Sequence, residues 1–272
     1  MRPLPYEPQN RPGSWPSGII VAALTALTLS GCANFFDEVT SRDFSLKAIF
    51  VPPNPLVVLR DSTDGDQRAK ALLALKEPKQ HGGTEVDQAA VVKILATAAA
   101  TEKQPLCRLA AIQSLGHFKD PQATQGLIDA FYAAGTNASP ETATVLRCTA
   151  LNSLGETQNP GAVELLARVV KEPPSEGTEI EKQQALDVRI AAARALGNFS
   201  HYQATDSLVS VLRSEKDVAL RDRAYESLKQ ATGKDLPPDA QAWEQAIYQS
   251  PADGTHPPDD SKKIKLLSWF SS

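Results

Sequence analysis

One pattern, Arg-x-x-Ala-x-x-x-Leu, restricts the fold of this chain more than any other feature. It occurs at Arg68/Ala71/Leu75, Arg108/Ala111/Leu115, Arg147/Ala150/Leu154, Arg189/Ala192/Leu196 and Arg221/Ala224/Leu228. The steps between successive arginines are 40, 39, 42 and 32 residues. Ala and Leu at +3 and +7 share one face of an α-helix, with Leu72, Ile112, Leu151, Ala193 and Tyr225 at +4 beside them. We call this helix A.

A second helix, B, follows in register. Gly116, Gly155 and Gly197 come directly after the Leu of three copies, where a left-handed residue would end helix A. Four residues on stand Asp120, Asn159 and His201, which the spacing assigns to the cap or turn before helix B. Pro121 and Pro160 suit its first turn. Ala123/Leu127/Phe131, Ala162/Leu166/Val170 and Ala204/Leu208/Leu212 then form an apolar face. In the last unit Gly233 and Ala240 keep the spacing, and Pro237 and Pro238 are expected to start the helix. Unit one has Lys76 in place of the Gly and an insert over 77–86, which moves its B helix to about 87–100. A second long loop, 172–181, is acidic and separates the third pair from the fourth.

A two-helix unit of about 40 residues resembles the HEAT repeat. The short Ala-rich form with Leu-Gly at the turn is similar to the subclass named after phycobilisome lyases. The resemblance covers 55–249 and implies an all-α, right-handed α-solenoid of about five HEAT-type helix pairs. Terminal units of a solenoid must cover an apolar end. Phe44, Ile49, Phe50 and Val51 are expected to do so at the amino end, Trp243 and Ile247 at the other.

Ahead of the repeats lies a segment of different character. Residues 19–31 run without a charge after a start carrying Arg2 and Arg11, and 13 residues are too few to span a bilayer comfortably. A basic start, a short apolar run and small residues at its end read as a secretory signal. The run closes Leu29-Ser30-Gly31-Cys32. This resembles the bacterial lipobox, which implies that 1–31 is a lipoprotein signal peptide and that Cys32 is acylated. The acyl chains would tie the protein to a membrane of the cell envelope, facing the periplasm. Ala33 stands where an Asp would imply inner-membrane retention, which points to the outer membrane. Residues 32–54 then form a tether and amino-terminal cap. Residues 250–272 read as a disordered tail with a short basic and apolar end, 261–270, that is either a membrane or partner contact or a loose terminus.

Chemistry is hard to find in the chain. A net charge of -4 argues against a general nucleic-acid binder. His81, His117, His201 and His256 have no metal-ligand spacing, and none adjoins a Glu as in the iron-binding HEAT enzymes. No nucleophile elbow, Walker loop or dinucleotide fingerprint appears, so no catalytic residue, metal or cofactor is assigned. Cys107 and Cys148 lie at repeat positions -1 and +1, on either flank of the Arg of successive A helices. They are read either as a disulfide, which export would permit, or as two thiols packed as small hydrophobes. The arginine ladder is read as structural, each Arg bonding carbonyls that end the preceding B helix or a nearby carboxylate.

In HEAT solenoids the B helices line the concave face. Off their apolar side lie Gln125, Asp129 and Tyr132; Glu164, Arg168 and Lys171; and Asp206, Ser210 and Arg213. This mixed-charge stripe suits a protein or peptide partner, against the plainer reading of solvated helix surface. The expected function is a lipid-anchored scaffold or adaptor without catalysis. The alternatives are a bilin-lyase-like enzyme, which would need a reactive polar pocket, and an envelope receptor for a small ligand, which would need a closed apolar one.

Overall fold

The computed structural model describes residues 53–248, and the chain divides into two units, Met1–Pro53 and Asn54–Ser272. The described helices all lie in the second unit. The expected signal segment, Cys32, the cap residues 44–51 and the 250–272 tail lie outside the described residues.

The described residues are all-helical, with no strand among them. Eleven α-helices occur in order: α1 Pro55–Asp61, α2 Gly65–Ala74, α3 Glu85–Thr101, α4 Pro105–Gly116, α5 Pro121–Ala133, α6 Pro140–Thr157, α7 Val163–Val170, α8 Glu179–Leu196, α9 Tyr202–Ser214, α10 Val218–Thr232 and α11 Ala240–Tyr248. Short 3₁₀ turns at Pro78–His81 and Pro160–Ala162 precede α3 and α7. No helix among the described residues is long and apolar enough to cross a membrane.

The repeat register predicts these elements closely. Helices α2, α4, α6, α8 and α10 carry the five Arg-x-x-Ala-x-x-x-Leu copies, and α3, α5, α7, α9 and α11 follow as their B partners. Each A helix packs on the next A helix, from α2 to α10. Each B helix likewise meets the next, α3 on α5, α7 on α9 and α9 on α11, while α5 reaches the turn that leads into α7. The Ala and Leu positions of the pattern are buried in every copy, as are Ala123, Leu127, Ala162, Leu166, Ala204 and Leu208 of the B helices. One continuous core runs from Ala69 to Trp243.

The helix starts are fixed as the sequence indicates. Asp120 accepts from the Gln122 N–H at 2.8 Å, Asn159 from Gly161 at 2.9 Å, and the His201 Nδ1 from Gln203 at 3.3 Å. Each side chain thereby satisfies an amide that the first turn leaves open. Helix α1 is an addition that the repeat pattern does not anticipate; Asn54 caps it and Pro55 opens it. At the far end α11 begins at Ala240, so Pro237 and Pro238 precede the helix rather than start it. Pro237 serves another purpose, since its carbonyl accepts the indole N–H of the buried Trp243 at 3.0 Å. Tyr225 meets the same indole edge-on, 6.3 Å between centroids.

The repeat glycines are explained differently from the expectation. Gly116 and Gly155 lie within their helices and Gly197 is right-handed at φ -60°. Among the described glycines only Gly82 and Gly233 have positive φ. Close approach of neighbouring A helices is what excludes a side chain. A β-carbon on Gly116 would stand 2.8 Å from the Ser153 β-carbon, one on Gly155 3.0 Å from the Ala195 α-carbon, and one on Gly197 3.1 Å from the Ser227 α-carbon. The same spot on each A helix therefore touches the residue before the pattern Leu on the next one. Unit one lacks the glycine, and there Ser114 of α4 donates instead to the Leu72 carbonyl at 2.8 Å.

Candidate functional site

The arginines of the repeat sit where helix ends converge. Arg108 is 3% exposed, and its Nε donates to the Ala99 carbonyl at the end of α3 (3.1 Å). Its Nη atoms reach the carbonyls of Ala133 (2.7 Å), Ala134 (3.5 Å) and Thr136 (3.1 Å) at the end of α5. Arg189 repeats the plan, donating to the Val170 carbonyl that ends α7 (3.4 Å) and pairing with Glu215 just after α9. Arg68 bonds the carbonyls of Leu59 (2.6 Å) and Ser62 (3.1 Å) and pairs with Glu102 just after α3. Carbonyls that a helix leaves open at its end are thus met by a fixed cation, which also opposes the negative pole of the helix dipole. The structural reading of the ladder holds for these three.

Arg147 and Arg221 depart from the plan. Both are half-buried, and neither side chain makes a hydrogen bond or ion pair among the described residues. The α5 carbonyls, which stand where Val170 stands for Arg189, already accept from Arg108. Arg147 instead lines a half-open cleft of about 620 Å³. The walls come from helix lengths. Helix α6 begins at Pro140, seven residues before its arginine, and α8 at Glu179, ten residues before Arg189; in α2, α4 and α10 the interval is three. At 1.5 Å per residue the extra turns stand roughly 6 and 10 Å proud of the ladder. Helix α7 ends at Val170, two residues earlier in the repeat register than α5 and α9, so that Glu172 stands outside the helix.

The cleft has three kinds of lining. Phe131 and Tyr132, set edge-on with centroids 5.4 Å apart, form an aromatic side. Gly135, Ala138, Ala143, Ala185 and Val188 supply small or apolar ground. Arg147, Glu172, Glu181 and Gln184 bring charge and hydrogen bonding. Glu181 also completes the capping box of α8, accepting from the Thr178 N–H (2.7 Å) and hydroxyl (2.9 Å). Those bonds, the backbone one foremost, hold its carboxyl below the usual range, so it is an anion at neutral pH. Glu172 belongs to the acidic loop noted in the sequence, which the structure places at the cleft rim.

The stripe expected from the B helices is present on the surface, and its members largely bond to one another. Gln125 donates to Asp129 within α5 at 2.8 Å. Arg168 of α7 donates to the Tyr132 hydroxyl and lies 5.7 Å from the centre of its ring. Lys171 approaches Asp206 of α9 at 3.7 Å, and Arg213 pairs with Glu244 of α11. Glu164 is exposed and Ser210 half-exposed. These exposed pairs add little stability each, about 0–1 kcal/mol, but they fix which polar groups face outward along α5, α7, α9 and α11. Tyr132, 56% exposed, belongs to both stripe and cleft.

The structure does not bring Cys107 and Cys148 together as a disulfide; both are free thiols. Cys107 is buried and its Sγ–H donates to the Gly65 carbonyl of α2 at 3.3 Å. Cys148 lies towards Asp187 and Arg194 of α8, on the other side. The two flanks of successive A helices turn to different neighbours, which repeat position alone does not reveal. Burial pushes the Cys148 thiol up to about 11, with Asp187 adding to it, and burial likewise raises Cys107. Among the described residues no group of three His, Cys, Asp or Glu side chains is arranged to hold a metal ion. Sequence reasoning found the stripe but missed the cleft; the early starts of α6 and α8 were its only trace. Neither a protein-family model nor a curated protein matches this chain.

Proposed function

We propose that this protein is a non-catalytic binding scaffold: a right-handed solenoid of five HEAT-type helix pairs that holds a protein or peptide partner against its B helices. Cys32, as an acylated residue, would anchor it to the bacterial cell envelope on the periplasmic side. The observation that carries the reading is the continuous polar stripe from Gln125 to Arg213, presented by successive B helices over one shared core. The agreement of repeat register with A-on-A and B-on-B packing supports the solenoid. Successive helices hold such a stripe rigid, so an extended partner surface can be bound with little reordering.

The test is site-specific photo-crosslinking in native envelopes. A crosslinker at Glu164 or Ser210 should trap a discrete adduct, while one at the exposed A-helix positions Gln113 or Arg194 should not. Equal adducts from both sets, or none from Glu164 and Ser210, would overturn the partner face. Labelled fatty acid should enter the native chain and not Cys32→Ser; label retained by that variant would sink the anchor.

A further inference from the structure

The cleft around Arg147 is specific where the stripe is general. Three ladder arginines spend their guanidinium groups on carbonyls and carboxylates of the fold; Arg147 and Arg221 spend none, and of these two it is Arg147 that lines the cleft. Its Nη2 lies beside the exposed Gly135, 3.7 Å from where a β-carbon there would sit. A half-buried guanidinium without acceptors offers a planar, two-pronged donor to a carboxylate.

The surroundings narrow the ligand. Glu172 and Glu181 share the cleft, so its three charges sum to -1, a poor host for a phosphate dianion. They suit a ligand that brings a cation as well as a carboxylate. Phe131 and Tyr132 add a face for an apolar or aromatic side chain. The volume, about 620 Å³, falls in the range of specific small-ligand sites and takes a few residues of polypeptide. Tyr132 makes the cleft continuous with the proposed partner face.

We propose that this cleft is the specificity pocket of the scaffold: it takes a short peptide segment whose carboxylate docks on Arg147, with a Lys or Arg side chain at Glu172 and an apolar side chain over Phe131 and Tyr132. The carboxylate comes either from a chain end or from an internal Asp or Glu. The assignment of a peptide rests on the scaffold reading; the pocket rests on its own geometry.

Affinity selection with mass-spectrometric readout on the full-length chain in detergent tests it. Three random tetrapeptide pools are compared: free carboxyl termini; acetylated and amidated with Asp and Glu present; and acetylated and amidated without them. Retention of the first pool alone assigns the chain end, and retention of acidic members of the second assigns a side chain. Arg147→Gln should cut retention at least about tenfold. Glu172→Gln should abolish enrichment for Lys and Arg. Gly135→Phe, whose β-carbon meets nothing nearer than 3.7 Å, should block the mouth while keeping the charge. Retention unchanged in Arg147→Gln, equal retention of the third pool, or no retention above a heat-denatured control would each overturn the pocket. Displacement by a mixture of free amino acids as effective as by the peptides would overturn the peptide assignment. Crosslinks from Glu164 and Ser210 are scored separately, so adducts that persist without peptide binding leave the scaffold standing while the pocket falls.

Discussion

Residues at the same place in the repeat do different work here, and the arginines show it most clearly. Arg108 satisfies four carbonyls from a nearly dry position, and burial alone pulls its pKa below the ordinary value. Removing it leaves those acceptors without a donor, so Arg108→Ala should lower unfolding free energy by about 3 kcal/mol or more in urea titrations. Arg147→Ala removes no bond and should cost under about 1 kcal/mol. Glu215 contributes a pH dependence. Burial is the largest single influence and opposes its ionisation. The N–H groups of Asp217 and Lys216 and the Arg189 guanidinium together outweigh burial and leave the carboxyl below its usual value. A depressed carboxylate stabilises the fold above the unfolded value, about 4.3, and loses that contribution as pH falls through the folded one. The urea midpoint should therefore drop from pH 6 to pH 3, and the drop should be smaller in Glu215→Gln.

At the scale of the element, glycine sets how closely A helices stack. A β-carbon on Gly155 would lie 2.8 Å from the Asn198 amide nitrogen and 3.0 Å from the α- and β-carbons of Ala195. The side chain can swing away, but the backbone of α8 cannot, so Gly155→Ala should destabilise by about 1–3 kcal/mol. Gly135→Ala, with only the Arg147 guanidinium at 3.7 Å, should be close to neutral, and thermal melts of the two variants check both expectations. The sequence marks Gly155 as special through its recurrence, but the reason it suggests, a left-handed helix stop, is not the one that operates. Helix faces and caps were legible because they depend on neighbours within four residues. The glycine contact involves Ala195, some forty residues away, and no local pattern encodes it.

Over the whole molecule, continuity of packing matters more than continuity of chain. The exposed acidic loop between α7 and α8 is crossed by the packing of α6 on α8 and α7 on α9. Limited proteolysis should cut first within 171–178, and the two fragments should co-elute in native size exclusion and separate in denaturant. Separation under native conditions would contradict the described packing. The sequence by itself determined which residues form helices, which faces they bury and in what register the pairs recur, because periodicity and capping act over a single turn. Only the tertiary structure decided which arginines go unsatisfied, that Cys107 and Cys148 turn to different neighbours, and that a cleft opens at Arg147. The cleft follows from differences in length between helices that lie side by side, because α6 and α8 overshoot the ladder. Such differences become space only when the helices pack.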